Sequence, residues 1–60
     1  MLHFEIFKTK KNEWRWRLVA KNGRIVANSG ESYKRRIACE RGINVVILTG
    51  WKTEIREVAR

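Results

Sequence analysis

The chain has 60 residues and a formal net charge of +8, from fourteen Lys and Arg against six Glu and no Asp. A chain of this length forms one domain at most, over residues 1–60, and buries only about 60% of the surface that its unfolded form exposes. One cysteine and one histidine exclude an internal disulfide and, within one chain, a zinc site of about four ligands, so we expect self-association to stabilise so small a core.

The apolar segments predict a protein that lies outside the membrane, in the cytoplasm. None of them approaches the roughly 20 residues that span a bilayer. Glu5 interrupts the region where a secretory leader would become apolar. Cys39, the single cysteine, suits a reducing compartment, and we expect it to be a small buried residue.

The first predicted element is a strand over residues 3–8. Phe4 and Ile6 share one face of it, because side chains alternate along a strand. A polar turn follows, in which Asn12 is the residue that best tolerates a left-handed backbone. An odd-length loop at this turn places the two apolar residues beside the tryptophans of the next strand and sets Glu5 against an arginine.

The second and third predicted strands form a hairpin around Asn22-Gly23, the dipeptide typical of a two-residue type I′ turn. On the second strand, Trp14, Trp16, Leu18 and Ala20 face one way, and Arg15, Arg17 and Val19 face the other. A two-residue turn pairs Lys21 with Arg24, Ala20 with Ile25, Val19 with Val26, Leu18 with Ala27 and Arg17 with Asn28. The predicted core face consists of Phe4, Ile6, Trp16, Leu18, Ala20, Ile25 and Ala27, with Trp14 partly covered.

A helix is predicted after the hairpin. Residues 28–32 are rich in helix-start residues, and Ser29 or Ser32 can accept a hydrogen bond from the first free amides of a helix. The helix carries an apolar stripe along one face. Its members are Tyr33, Ile37, Cys39, Ile43, Val46 and Ile47, with Lys34, Arg35, Glu40, Arg41 and Asn44 largely outside it.

The end of this helix is ambiguous from the residues alone. Residues 43–48 are rich in β-branched side chains and suit a strand, whereas ordinary helix lengths favour a helix that continues to Gly50. A last strand fits residues 52–58, with Ile55 pointing inward. The order is therefore β-β-β-α-β, an α+β unit in which a helix packs on one face of an antiparallel sheet.

The chain resembles the YegP-like domain family, also described as UPF0339, over nearly its whole length. The resemblance is carried by Phe4-Glu5-Ile6-Phe7-Lys8, Trp16-Arg17-Leu18, Asn22-Gly23, Ile25, Ala27, Ser29, Tyr33, Ala38, Glu40, Gly42-Ile43 and Val46. It implies a helix that continues to about Leu48, and a homodimer in which two copies form one continuous sheet by exchanging their final strands. The family has no known biochemical role. Trp51, which begins the loosely matching tail, is expected to pack at the dimer seam or over the helix end, since an exposed indole is an unexplained apolar patch.

The residue types argue against an enzyme. General acid–base or nucleophilic catalysis needs ionisable groups that converge in a shielded cleft, and one histidine, one cysteine and no aspartate leave few of them. His3 is expected to be exposed or partly packed on the first strand. We therefore expect a protein without catalytic residues, cofactor or metal.

Six basic residues are the candidates for binding a polyanion or a partner protein: Arg15, Arg17, Arg24, Lys34, Arg35 and Arg36. The last three lie at the predicted helix start, where cations oppose the helix dipole. Two explanations remain open for them, because either Glu31 offsets their charge in a solvated turn or a bound phosphate does so.

The sheet face away from the helix is the second candidate surface. It is predicted to carry Phe7, Arg15, Arg17, Val19 and Val26, with His3 and Arg24 nearby. Arginine among apolar and aromatic groups suits phosphate contacts with base stacking, contacts with a protein, including the dimer itself, or ordinary surface ion pairs with Glu5.

Two hypotheses on function follow. In the first, the basic homodimer binds nucleic acid or another polyanion. In the second, the protein is an interaction or structural module whose basic surface is incidental or faces an acidic protein partner.

Overall fold

Three antiparallel strands and one helix make up the computed structural model, which describes residues 1–50 and 52–59. The strands are β1 (His3–Lys8), β2 (Trp14–Val19) and β3 (Ile25–Asn28), and the helix is α1 (Arg36–Leu48). The strand order is β1-β2-β3, so β2 is central and the other two are edge strands. The helix packs on one face of the sheet through Trp16, Cys39 and Ile43.

The pairing of β1 with β2 confirms the predicted register. Phe4 lies opposite Leu18, Ile6 opposite Trp16, Glu5 opposite Arg17 and Phe7 opposite Arg15. The connecting loop has three residues between Thr9 and Glu13, whose backbone groups are joined by a 2.7 Å hydrogen bond. Asn12 takes the left-handed conformation, with φ of 66°, as its side chain allows.

The hairpin between β2 and β3 differs from the prediction at its turn. The loop has three residues rather than two, because the N–H of Gly23 donates to the carbonyl of Ala20 (2.9 Å) and the N–H of Ala20 donates to the carbonyl of Arg24 (2.8 Å). Gly23 has φ of 88°, while Asn22 stays at negative φ and accepts a hydrogen bond from the N–H of Arg24 on its side-chain oxygen. The turn is therefore the three-residue form with a left-handed third residue, not type I′.

This turn moves Ile25 to the other face of the sheet. Val19 pairs with Ile25 instead of Val26, and an irregularity between Leu18 and Val19 restores the predicted pairing of Leu18 with Ala27. Because a one-residue slip reverses the face of a side chain, the prediction that Ile25 belongs to the core is wrong. Its side chain is 58% exposed, on the side away from α1.

The core lies between β2 and α1. Trp16, Cys39 and Ile43 are the buried residues of this cluster, and Val19 is buried as well, at 6% exposed. The partly buried residues packed against them are Phe4, Ile6, Trp14, Leu18, Ala27, Tyr33 and Val46. The apolar stripe of the helix is narrower than predicted, because Ile37 and Ile47 are 51% and 59% exposed.

Helix α1 begins later than the sequence suggested. Tyr33 precedes it and pairs with Trp14 in a β-bridge, with backbone hydrogen bonds of 2.7 and 2.8 Å. Arg35 occupies the N-cap position without a side-chain hydrogen bond. The predicted cap is wrong, since the Ser29 hydroxyl donates instead to the carbonyl of Glu31.

The segment whose structure the residues left open is helical, because α1 runs to Leu48 with Thr49 as its C-cap. Beyond it, the described residues 52–59 form no strand, and Ile55 is 97% exposed. The predicted fourth strand, with Ile55 pointing inward, is thus not formed within a single chain. Trp51 lies outside the described residues, and so does its expected packing.

Candidate functional site

The sheet face opposite α1 is built by alternation on the three strands, and we call it the outer face. Its side chains are His3, Glu5, Phe7, Arg15, Arg17, Val19 and Ile25. Two of the six predicted site residues, Arg15 and Arg17, are therefore brought together here. They are joined by Ile25, whose predicted place in the core is wrong.

Arg17 is held in place by two neighbours. Its Nε donates to Glu5 Oε1 at 2.7 Å, and its guanidinium carbon lies over the Phe7 ring, 4.8 Å from the centroid. Such a cation–aromatic contact contributes about 0.5–1 kcal/mol at an exposed site. About 40% of the Arg17 side chain remains exposed, so the guanidinium is fixed but still accessible to solvent.

Glu5 receives a second hydrogen bond, at 2.9 Å, between His3 Nε2 and Oε2. The bonds from His3 and from Arg17 together lower the pKa of Glu5 below its ordinary value of 4.5, because both favour the charged carboxylate. The charge of Arg17 is thus offset at neutral pH. Among the described residues, no carboxylate forms an ion pair with Arg15.

Two shallow depressions lie side by side on the outer face. The first, of about 350 Å³, is lined by Phe7, Arg15, Arg17, Ile25 and Asn28. The second, of about 420 Å³, is lined by His3, Glu5, Arg17, Val19, Ala20, Lys21, Gly23 and Ile25. Arg17 and Ile25 belong to both, so the depressions form one groove, with Arg15 at one end and both Glu5 and Lys21 at the other.

The basic residues at the helix start lie on the other side of the sheet. Arg36 donates to Glu40 at 2.9 Å, and its guanidinium lies 5.5 Å from the centroid of the Trp14 ring. Lys8 Nζ lies 5.2 Å from the same ring. The charge of Arg36 is therefore offset by Glu40, one helical turn later, and not by Glu31 as one explanation proposed.

The six predicted site residues do not form one surface. Lys34 and Arg35 are exposed beside Arg36, on the helix side. Arg24 is exposed next to the turn, outside the bounds of β3, and lines neither depression. Of the six, only Arg15 and Arg17 line the groove.

The described part of the chain holds no cluster of metal-binding side chains. No three His, Cys, Asp or Glu side chains in residues 1–50 and 52–59 come close enough to hold a metal ion. Cys39 is fully buried, and burial raises the pKa of its thiol, which disfavours the reactive thiolate. No described helix is both long and apolar enough to cross a membrane.

Some parts of the outer face had a signal in the sequence. Alternation placed Phe7 with Arg15 and Arg17, and the odd first loop set Glu5 opposite an arginine. One member was missed, Ile25, whose face depends on the turn. The predicted pairing of Asn28 with Arg17 is confirmed, and the Asn28 side-chain oxygen accepts the N–H of Gly30 at 2.9 Å. Asn28 followed by Gly30 is a recognisable turn signal, and it points to that hydrogen bond.

The chain is similar in sequence to known proteins of about its own length. Residues 10–57 match the family described as "Domain of unknown function (DUF1508)". A UPF0339 protein of Neisseria meningitidis serogroup B is 39% identical over 57 residues, which cover 95% of this chain and 100% of that protein. A UPF0339 protein of Treponema denticola is 46% identical over 43 residues, 72% of each chain.

The fold also matches a solved structure. An NMR solution structure of a protein from Haloferax volcanii superimposes with a TM-score of 0.85 at 37% identity, over 95% of both chains. The three strands and the helix are thus shared with that protein.

Proposed function

The chain belongs to the DUF1508 family, which is the YegP-like, UPF0339 group, and we propose that it acts without catalysis as a small homodimeric binding module whose basic surface binds nucleic acid or another polyanion. The single observation that carries the proposal is the outer face, an open groove where an unpaired arginine lies beside an arginine fixed over an aromatic ring. Its surroundings favour anions, because the chain carries a net charge of +8.

The homodimer is supported by the apolar side chains that one chain leaves exposed. Ile55 and Val58 in the tail are 97% and 76% exposed, and Leu48 at the end of α1 is 83% exposed. Both edge strands also offer unpaired backbone groups, onto which an extended segment of a second copy can add. Exchange of the C-terminal segments covers these side chains and pairs an edge strand in one step.

Sedimentation of the wild-type protein and two matched variants tests the dimer. Ile55→Gln removes an apolar contact of the tail, whereas Glu57→Gln introduces the same side chain two residues away. We expect a dimer at micromolar concentration for the wild type and for Glu57→Gln, and a shift towards monomer for Ile55→Gln. A wild-type protein that sediments as a folded monomer, or a dimer equally tight in both variants, contradicts the proposal.

Binding to a polyanion is tested by electrophoretic mobility with single- and double-stranded oligonucleotides across a salt series. Lys and Arg side chains that neutralise phosphates release counterions, so the observed affinity falls steeply as salt rises. A complex whose affinity is unchanged between low and moderate salt, or no complex at low salt, rules out this role.

A protein-interaction module is the second candidate function. It is favoured by Phe7 and Ile25, which give the outer face an accessible apolar part beside its arginines, a composition enriched at interfaces. Joint replacement Arg15→Glu and Arg17→Glu then disrupts a nuclease-resistant complex with a defined acidic protein and leaves the dimer folded. An unchanged complex removes these arginines from the proposal.

The cytoplasm is the proposed location. A single buried, free cysteine suits a reducing compartment, where disulfides do not persist. Fractionation of cells that express the native chain tests this, and recovery in a secreted or membrane fraction contradicts it.

A further inference from the structure

Arg17 presents a planar cation that is already positioned. Its guanidinium lies over Phe7 on one side and is tied to Glu5 by a 2.7 Å hydrogen bond. An arginine fixed at two points loses less side-chain entropy when a ligand binds it than a free one does. Because about 40% of the side chain is exposed, a second flat group can reach the guanidinium from solvent.

The groups around the first depression are hydrogen-bond donors. Arg15 is unpaired there, and the Asn28 side chain uses its oxygen to accept the N–H of Gly30, which leaves its NH₂ group as a donor. Phe7 and Ile25 supply the apolar part of the lining. A complementary ligand therefore carries several acceptors on a flat, partly apolar group.

The carboxylate determines the end of the groove that an anion can use. Glu5 and His3 line the second depression but not the first, and the lowered pKa of Glu5 keeps it negative at neutral pH. The second depression also contains Lys21, so it holds both a carboxylate and a lysine, whereas Arg15 in the first depression has no carboxylate partner among the described residues. A phosphate is therefore favoured beside Arg15.

We infer that the outer face binds single-stranded nucleic acid, with an unpaired base stacked on the Arg17 guanidinium over Phe7 and a neighbouring phosphate contacted by Arg15. Unpaired bases stack on aromatic side chains and on arginine planes, whereas a duplex keeps its bases inside the helix. This inference rests on the proposed polyanion-binding function and deepens it, since it names the class of ligand and the atoms that select it.

Fluorescence anisotropy with three probes of equal length tests it: an oligothymidylate, an abasic strand with the same phosphates, and a duplex. The variant Arg17→Lys keeps the positive charge beside Glu5 but removes the planar group. Arg36→Lys is the matched control, because Arg36 also lies over an aromatic ring and pairs with a carboxylate, but on the helix side.

We expect the wild type to bind oligothymidylate more tightly than the abasic strand or the duplex. Arg17→Lys should weaken that binding at least about fivefold, the lower end of what one stacked base contributes, and leave abasic binding unchanged. Arg36→Lys should change neither. In wild-type NMR spectra, oligothymidylate should shift the amides of Phe7, Arg15 and Ile25 more than those of α1, a readout independent of how the variants fold.

The remaining outcomes separate the two proposals. If the wild type binds all three probes with equal affinity, and Arg17→Lys and Arg36→Lys bind them equally well, base stacking is overturned but the proposal of polyanion binding is retained. No binding to any probe at low salt overturns both. Tighter binding of poly-glutamate than of oligothymidylate at the same amides overturns the nucleic-acid ligand in favour of an acidic protein partner.

Discussion

Gly42 lies where α1 comes closest to the sheet, and replacing it by alanine tests how this contact positions the helix. A Cβ built on Gly42 lies 2.7 Å from the Tyr33 hydroxyl oxygen, 3.3 Å from Tyr33 Cζ and 3.3 Å from Trp16 Nε1. Trp16 has little room to move, because it is 6% exposed. The Tyr33 backbone is held by its β-bridge to Trp14, so its hydroxyl can move away only by rotation of the side chain.

Two opposing effects set the size of the change. Overpacking a core costs about 1–3 kcal/mol, while alanine is favoured over glycine inside a helix by about 0.8–1 kcal/mol. Central values leave Gly42→Ala less stable by about 1 kcal/mol, which lowers the Tm of so small a domain by about 4–8 °C. Urea unfolding at fixed protein concentration, followed by tryptophan fluorescence, measures the difference.

A double-mutant cycle isolates the contact. Tyr33→Phe removes the oxygen that lies 2.7 Å from the new methyl group, so Gly42→Ala in that background should be nearly neutral or stabilising. Asn44→Gly compared with Asn44→Ala, at an exposed position of the same helix, calibrates helix propensity alone. Equal effects of Gly42→Ala in both backgrounds would refute the close approach as the cause.

Two further predictions concern the sheet. Gly23→Val should destabilise the protein by about 1–2 kcal/mol, because φ of 88° at this position is costly for a residue with a branched Cβ. Thermal unfolding of Gly23→Val, compared with Asn22→Ala, measures this loss of stability. An unchanged Tm would show that the turn adopts another form. The pKa of Glu5 lies below its ordinary value in the folded state, so its bonds to His3 and Arg17 stabilise the protein fully at neutral pH and lose that effect as pH falls through the lowered pKa. The difference in free energy of unfolding between wild type and Glu5→Gln should therefore decrease from pH 7 into the acid range. A carboxyl NMR titration measures the pKa of Glu5 directly. A difference that stays constant or increases would contradict this linkage.

Local patterns in the sequence were sufficient for much of the sheet. Alternation identified the strands, and the odd loop with Asn12 predicted the register of β1 against β2, hence Glu5 against Arg17. These features depend on residues that are close together in the sequence. Their turn preferences and the two-residue period of side chains along a strand are local properties. The predicted end of α1 near Leu48 came from family resemblance, since β-branched residues alone suit both a helix and a strand.

Tertiary contacts decided the rest. The face of Ile25 depends on which backbone groups close the second turn. The predicted two-residue turn and the observed three-residue turn use the same Lys21-Asn22-Gly23 segment but differ by one residue in strand register. The exposure of Ile37 depends on which face of the helix packs on the sheet, and that face carries Cys39 and Ile43.

The composition determined a small basic chain with few groups for catalysis, the apolar pattern indicated three strands and a helix, and alternation determined which arginines share a face with Phe7. Only the folded chain showed that Arg17 is fixed by Glu5 and Phe7, that Arg15 has no ion pair within residues 1–50 and 52–59, and that Arg36 lies over Trp14 on the helix side. The reason is physical: backbone periodicity orients side chains locally, but whether two charges meet depends on three-dimensional distances between segments, which the pattern along one segment does not contain.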